Sequence, residues 1–270
     1  MTTFNKYIAD SELLIVGHGS SKSEESTILI KNHTKAIKDQ NIFKDVRCGF
    51  LKLEPFLTEQ LKVIKSDLVH IVPCFSGTGS LTTSVVPKKL GLTGTVTVKK
   101  NQEIYYSEPV GNHPKIKKRM CELVRSTLLE SKLAKNDTTL IVIGHGSIHN
   151  SQSEIDTRSI ADHLDTLKLS SKVIPLFLDQ APNLIDWSTL CETSYAIVLG
   201  YFFSGGSHET RDIPELMGFS PVKTRDRFTK NQPIGPIHAA GKQLWLCPLI
   251  SADQIIEEII IERVLEMHQN

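Results

Sequence analysis

Aromatic residues make up only 6% of this 270-residue chain, and neither sign of charge is in excess, with Lys+Arg 31 against Asp+Glu 30. A formal charge of +1 leaves no broad basic surface of the kind that neutralises a phosphate backbone, so nucleic acid is not an expected partner. Long apolar runs are missing too. Even Ile255–Val264 is broken by acids, and nothing approaches the ~20 residues that cross a bilayer, so no membrane span is expected. The opening MTTFNKYIADSELLIVGHGS has no apolar core followed by a small-residue cleavage site, and a cytoplasmic location is expected. Cys48, Cys74, Cys121, Cys191 and Cys247 are odd in number, scattered and never in a C-x-x-C pair. That pattern excludes a disulfide framework or zinc knuckle and predicts reduced, mostly buried thiols. No G-x-S-x-G elbow and no G-x-x-x-x-G-K-[ST] phosphate loop occurs.

What the chain does contain is itself, twice. LLIVGHGS at Leu13–Ser20 returns as LIVIGHGS at Leu140–Ser147, so His18 and His145 stand 127 positions apart (145 minus 18). The pairs Phe50–Leu51 with Phe177–Leu178, and Phe75–Gly77 with Phe203–Gly205, keep nearly the same offset. EPVGNHPKIKKRMCELV from Glu108 then pairs with CPLISADQIIEEIIIERV from Cys247, which leaves the second copy a surplus between Gly218 and Leu244. Two repeats, 1–133 and 134–270, are the expected domains.

Each repeat alternates short apolar runs with polar stretches of helical length, such as Ser23–Asp39 and Ser153–Leu167. The strand candidates are Leu13–Val16, Val46–Leu51, Leu68–Pro73 and Thr95–Lys99, then Leu140–Ile143, Val173–Leu178, Ala196–Tyr201 and Gln243–Cys247. Runs that are continuous rather than alternating suit parallel strands covered on both faces. The expected fold is therefore α/β, with two similar lobes, each a four-stranded parallel sheet flanked by helices. In such sheets ligands gather beyond the carboxyl ends of the strands, where both GHGS and both FSG motifs fall, and a cleft between lobes is the natural site.

His18 and His145 sit between glycines at strand ends, where either a structural hydrogen bond or a ligand role fits. In YFFSGGSHETRDIPELMG, His208 follows a strand and a Gly/Ser loop and precedes the helix candidate Ile213–Met217. Two imidazoles with few other soft ligands suit a loosely held borderline metal, or two bases placed to accept protons. Counting from Pro87 as from Pro214 sets Leu81 opposite His208 and Val85 opposite Asp212, so the first repeat lacks this pair. Asp212 could orient His208, although a cap on the following helix is the simpler role. Glu54, in FLKLEP, faces Ala181 in FLDQAP and exists only in the first repeat. It either complements the two imidazoles or favours the positive end of a helix. Ser20, Ser147, Ser76 and Ser204 lie on the glycine-rich turns and could donate to an anionic ligand. The insertion carrying Lys223, Arg225, Arg227 and Lys230 is a solvated loop or a lid that pairs with substrate carboxylates.

GHGS after the first strand, FLKLEP, FFSGGSHETRDIPELMG after the third strand and the P-x-x-x-x-P-x-I helix entry resemble the class II chelatases, and within them the two-repeat sirohydrochlorin cobaltochelatases and ferrochelatases. The H-x-x-x-D-I-P stretch, Gly206–Pro214, is the most specific part of the likeness. The resemblance implies insertion of a divalent metal, Co2+ or Fe2+ and in some relatives Ni2+, into a tetrapyrrole in the siroheme or cobalamin route, with no further cofactor. It implies His145 and His208 as metal-handling residues and Glu54 as the acidic residue of the opposite lobe. His18, Ser20, Ser147, Ser204 and Arg211 are the candidate substrate contacts, with a purely structural role slightly favoured for His18, whose repeat lacks the second histidine. A monomer or homodimer would serve, since the duplication supplies two lobes in one chain. A non-catalytic tetrapyrrole or metal carrier is the competing reading, because only one repeat keeps the histidine pair.

Overall fold

A computed structural model describes residues 7–20, 25–147, 151–203, 206, 208–220 and 231–269. The chain forms two five-stranded sheets. The first is ordered β2-β1-β3-β5-β4, from β1 (Glu12–Gly17), β2 (Asp45–Phe50), β3 (Leu68–Pro73), β4 (Val96–Lys99) and β5 (Gln102–Tyr106). The second repeats that order as β7-β6-β8-β10-β9, from β6 (Thr138–Gly144), β7 (Lys172–Phe177), β8 (Tyr195–Gly200), β9 (Ile234–Ala239) and β10 (Lys242–Leu246). The helices in chain order are α1 (Glu25–Asp39), α2 (Leu57–Val63), α3 (Val86–Leu90), α4 (Pro114–Ser131), α5 (Gln152–Thr166), α6 (Trp187–Leu190), α7 (Ile213–Leu216) and α8 (Ile255–Glu266).

The central strands are where the apolar runs told most. Every residue of β1, β3 and β6 is buried, and β1 and β6 each pair in parallel with neighbours on both sides. Leu13, Leu14, Ile15 and Val16 are fully covered, each side chain contributing roughly 1.5–3 kcal/mol on burial. Such strands have no polar face to offer, hence the unbroken hydrophobic reading.

The sheets nevertheless carry five strands where four were expected. Thr95–Lys99 is not the fourth parallel strand: β4 runs antiparallel at the edge, with Val96 opposite Tyr105, and the parallel partner of β3 is β5. The reason is burial. In β4 only Thr97 is buried while Val98 is 73% exposed, and QEIYY in β5 has a single buried residue, so neither strand carries the signature of its place in the sheet. The second sheet has the same hairpin, β9 with β10, turned by Ala240 and Gly241, both at positive φ as a two-residue primed turn requires. Strand β9 is the counterpart of β4, so the sequence surplus lies between Gly218 and Ile234, where Lys223, Arg225, Arg227 and Lys230 lie outside the described residues.

Compactness divides the chain differently from the repeats. One unit holds Met1–His113, Phe203–Gly206 and Gln254–Asn270, the other Pro114–Phe202 and Ser207–Asp253. Each repeat therefore ends in a helix that belongs to the other unit. Helix α4 buries Ile116, Met120, Leu123, Val124, Thr127 and Leu128, a stripe at helical spacing, and packs on β8 and α5. Helix α8 buries Ile256, Ile259, Ile260 and Val264 and packs on α1 and β3. Within the first unit it is also fixed by polar contacts. Glu257 lies 3.0 Å from His33 Nδ1, and the buried Arg263 donates to the Pro109 carbonyl at 3.1 Å. Just beyond α8, His268 Nε2 stands 2.7 Å from Nε2 of the fully buried His70.

The five thiols are unpaired by disulfides, four of them buried and Cys48 half-buried. Among the described residues no helix is long and apolar enough to cross a membrane.

Candidate active site

The carboxyl end of β6 presents His145. Gly144 closes the strand where a Cβ would strike the Thr157 side chain of α5, and Gly146 turns the chain at φ +71° against Phe177 and Gln180. Hydrogen bonds hold this loop from several directions. The Ser147 N–H donates to Gln180 Oε1 at 2.7 Å, the Gly146 N–H to Ser153 Oγ at 3.2 Å, and the His145 carbonyl accepts from the N–H of Leu178 and Asp179 at 3.1 and 3.0 Å. The first unit builds the same frame: the His18 carbonyl accepts from Leu51 and Lys52, both at 3.1 Å, and Gly19 has φ +66°. His18 and Ser20 are half-buried, His145 is exposed and Ser147 half-buried.

His208 opens a π-helical turn, His208–Asp212, that leads into α7. The first unit has a π-helical turn at Leu81–Val85, so the alignment of Leu81 with His208 and of Val85 with Asp212 holds turn for turn. Wide turns of this kind often mark functional positions. Here the turn brings His208 to His145, with ring centroids 5.1 Å apart and planes at 86°.

Each ring is oriented by a carboxylate at Nδ1. His208 Nδ1 lies 2.9 Å from Asp212 Oδ2, and His145 Nδ1 lies 3.3 Å from Asp179 Oδ2 and 3.1 Å from the Gly146 carbonyl. A neutral imidazole whose Nδ1–H faces a carboxylate carries its lone pair on Nε2, the arrangement common behind metal-ligating histidines. Asp212 is at the helix N-cap position but makes no capping hydrogen bond, so the cap reading is corrected: its oxygens go to His208 and, at 3.1 Å, to Arg211 Nε. The wide turn explains this, because it directs the Asp212 side chain back along the turn to the residue four before it.

Asp179 escaped the sequence reading. Its signal was the FLDQAP segment, where it takes the place of Lys52 just beyond the strand, but only the strand pairing and loop hydrogen bonds bring it to His145. Glu54 lies in the first unit, exposed in the loop after β2. Arg211 is exposed beside Asp212, and Ser204 lies outside the described residues.

Two imidazoles sharing one ion at the usual ~2.0–2.1 Å N–metal distance, with a tetrahedral angle between them, place their centroids about 5 Å apart. The observed 5.1 Å fits. Among the described residues no group of three or more His, Cys, Asp or Glu side chains could hold a metal. A pair of nitrogens with both rings 46% exposed is therefore an open station, suited to an ion that arrives and leaves, unlike a closed structural site with four protein ligands.

The CbiX family matches the chain twice, over residues 12–127 and 139–267. The chain belongs to the CbiX family. The protein named probable sirohydrochlorin cobaltochelatase from Halobacterium salinarum is 28% identical over 271 residues, covering 94% of this chain and 90% of that one. Among solved structures, SirB from Bacillus subtilis with Fe3+ superposes with a TM-score of 0.68 at 17% identity, covering 96% of both chains. A multi-domain protein from Deinococcus radiodurans with structural similarity to chelatases and two additional domains gives a TM-score of 0.71 at 20% identity. The match covers 96% of this chain but 55% of that longer one. These structural likenesses carry the fold, and both His145 and His208 fall within the second CbiX match, residues 139–267.

Proposed function

We propose that this protein is a chelatase that inserts a divalent metal, Co2+ or Fe2+, into sirohydrochlorin or a closely related tetrapyrrole. The observation that carries the reading is the His145–His208 pair, each ring backed at Nδ1 by a carboxylate. Chelation exchanges two protons on the pyrrole nitrogens for one M2+, and the ion must shed its waters on the way. Two Nε2 lone pairs can hold the ion by half its coordination shell, leaving the remaining positions to water and then to the macrocycle. Once the ion has transferred, the same imidazoles can accept the displaced protons, and Asp179 and Asp212 stabilise the imidazolium forms. Redox chemistry has no part in such an exchange, because the metal keeps its charge.

In this reading Glu54 takes up a proton or helps attract the cation, and His18, Ser20, Ser147, Ser204 and Arg211 contact the substrate. The repeats 1–133 and 134–270 are the units of duplication, and the protein works in the cytoplasm as a monomer or homodimer. The test is anaerobic mixing of the purified protein with sirohydrochlorin and Co2+ or Fe2+, followed by tetrapyrrole absorbance. Metallation faster than by a His145→Ala/His208→Ala double variant is expected. Equal rates would remove the claim, and tight binding of the metallated product without turnover would make the protein a carrier instead.

A further inference from the structure

We infer that Glu209 is the positioning residue of the site, holding the π-helical turn so that His208 and Asp212 keep their mutual geometry; the metal-binding consequence rests on the chelatase reading. Glu209 directly follows His208, yet its side chain points the other way and is only 4% exposed. Its Oε1 accepts a hydrogen bond from Ser251 Oγ at 2.6 Å, and Ser251 is itself buried in the 3-10 turn Ile250–Ala252 that follows β10. That turn is anchored in its own right. Asp253, one residue past it and buried, receives Arg119 Nε and Nη2 of α4 at 2.9 and 2.8 Å. The 3-10 turn is thus tied to α4 through Asp253 and to the residue next to His208 through Ser251, all inside one compact unit.

The first unit shows what the turn does without this anchor. Thr82 occupies the position of Glu209 and is equally buried, but its hydroxyl bonds within its own loop, to the Gly77 and Gly79 carbonyls and the Gly79 N–H. A threonine suffices to fold the turn. Burying a carboxylate there is far more demanding than burying a hydroxyl, and what it adds is reach to a second, fixed element. The added reach occurs in the unit whose turn carries a histidine.

The experiment compares wild type with Glu209→Met, which keeps the volume and loses the acceptor, and Glu209→Gln, which keeps the acceptor. The readouts are the His208 tautomer by long-range 1H–15N NMR, Co2+ affinity by calorimetry, and the same affinity in a His208→Ala background. Expected are a single Nδ1–H tautomer in wild type and Glu209→Gln, mixed tautomers in Glu209→Met, and about tenfold weaker Co2+ binding for Glu209→Met that vanishes when His208 is already alanine. An unchanged tautomer, or the same affinity loss in both backgrounds, overturns the inference. Should Glu209→Met fail to fold, Ser251→Ala removes the same hydrogen bond from the other side and is judged by the same criteria. A wild type without metallation activity sinks the chelatase reading alone, because the tautomer readout needs no metal.

Discussion

The π-helical turns of the two units are the same piece of backbone with opposite chemistry. Leu81–Val85 and His208–Asp212 occupy matching places after the third strand, and both feed a short helix with proline in its first turn. One presents Leu81 and Val85, the other a histidine and the carboxylate that orients it. The loops after the first strands match as well, down to the carbonyl of His18 or His145 accepting two N–H groups from the neighbouring strand end. There too the second unit differs by one charge sign, Asp179 for Lys52. A duplicated fold has thus kept its frame in both copies, while the side chains able to handle a cation stand together in one. Backbone geometry is set by glycines, strand pairing and burial, none of which depends on whether a loop side chain is an imidazole or a leucine.

The largest effect that can test this asymmetry is loss of an imidazole. His208→Ala is expected to lower the metallation rate by about 10²–10³ fold, within the range for removing an acid–base group, while His18→Ala should change it no more than a few fold. Stopped-flow absorbance with sirohydrochlorin and Co2+ measures both, and equal losses would erase the distinction between the units. Next comes the orienting carboxylate. Asp212→Asn should weaken Co2+ binding about 10-fold or more by calorimetry, and Val85→Asn should leave it unchanged. A gain-of-function variant sharpens the same comparison: Leu81→His, Val85→Asp and Lys52→Asp together should raise the Co2+ stoichiometry from one to two, with the new site the weaker. A stoichiometry that stays at one would show that the first frame is no longer equivalent.

The smallest expected effect concerns stability and belongs to the first unit. Burial, with His268 facing it, pushes His70 down to about 3, and desolvation also lowers His268. Tyr7, Glu103 and Tyr105 surround His268, with Tyr105 Oη donating to Glu103 Oε1 at 2.9 Å. Since His70 returns to about 6.5 on unfolding, the unfolded chain takes up this proton first as the pH falls. Stability from the neutral pair is complete above about pH 6.5 and drains away between there and pH 3, by at most about 1.4 kcal/mol per pH unit. Thermal melts of His70→Leu should show a shallower decline from pH 6.5 to 4.5 than wild type. Parallel curves would assign the acid sensitivity elsewhere.

Much of this was legible in the chain. LLIVGHGS and LIVIGHGS announced the central strands because a strand buried on both faces must be apolar throughout, and counting from Pro87 and Pro214 aligned two turns that are indeed equivalent. The edge strands were not legible, because TVTVK and QEIYY are only partly covered and their composition does not reveal direction. Asp179 was missed because its partner is distant in sequence, and Asp212 was assigned a cap because a standard helix entry, unlike a wide turn, would have used it so.

By itself the sequence determined the duplication and the α/β class and singled out His145 and His208 as candidates, since burial patterns and motif spacing are written along the chain. Only the tertiary structure decided that the rings stand 5.1 Å apart with a carboxylate behind each, and that α4 and α8 are exchanged between the compact units. Those facts depend on which surfaces meet across gaps of tens of residues. Local pattern carries no record of such meetings, because a helix shows which face it buries but not against what.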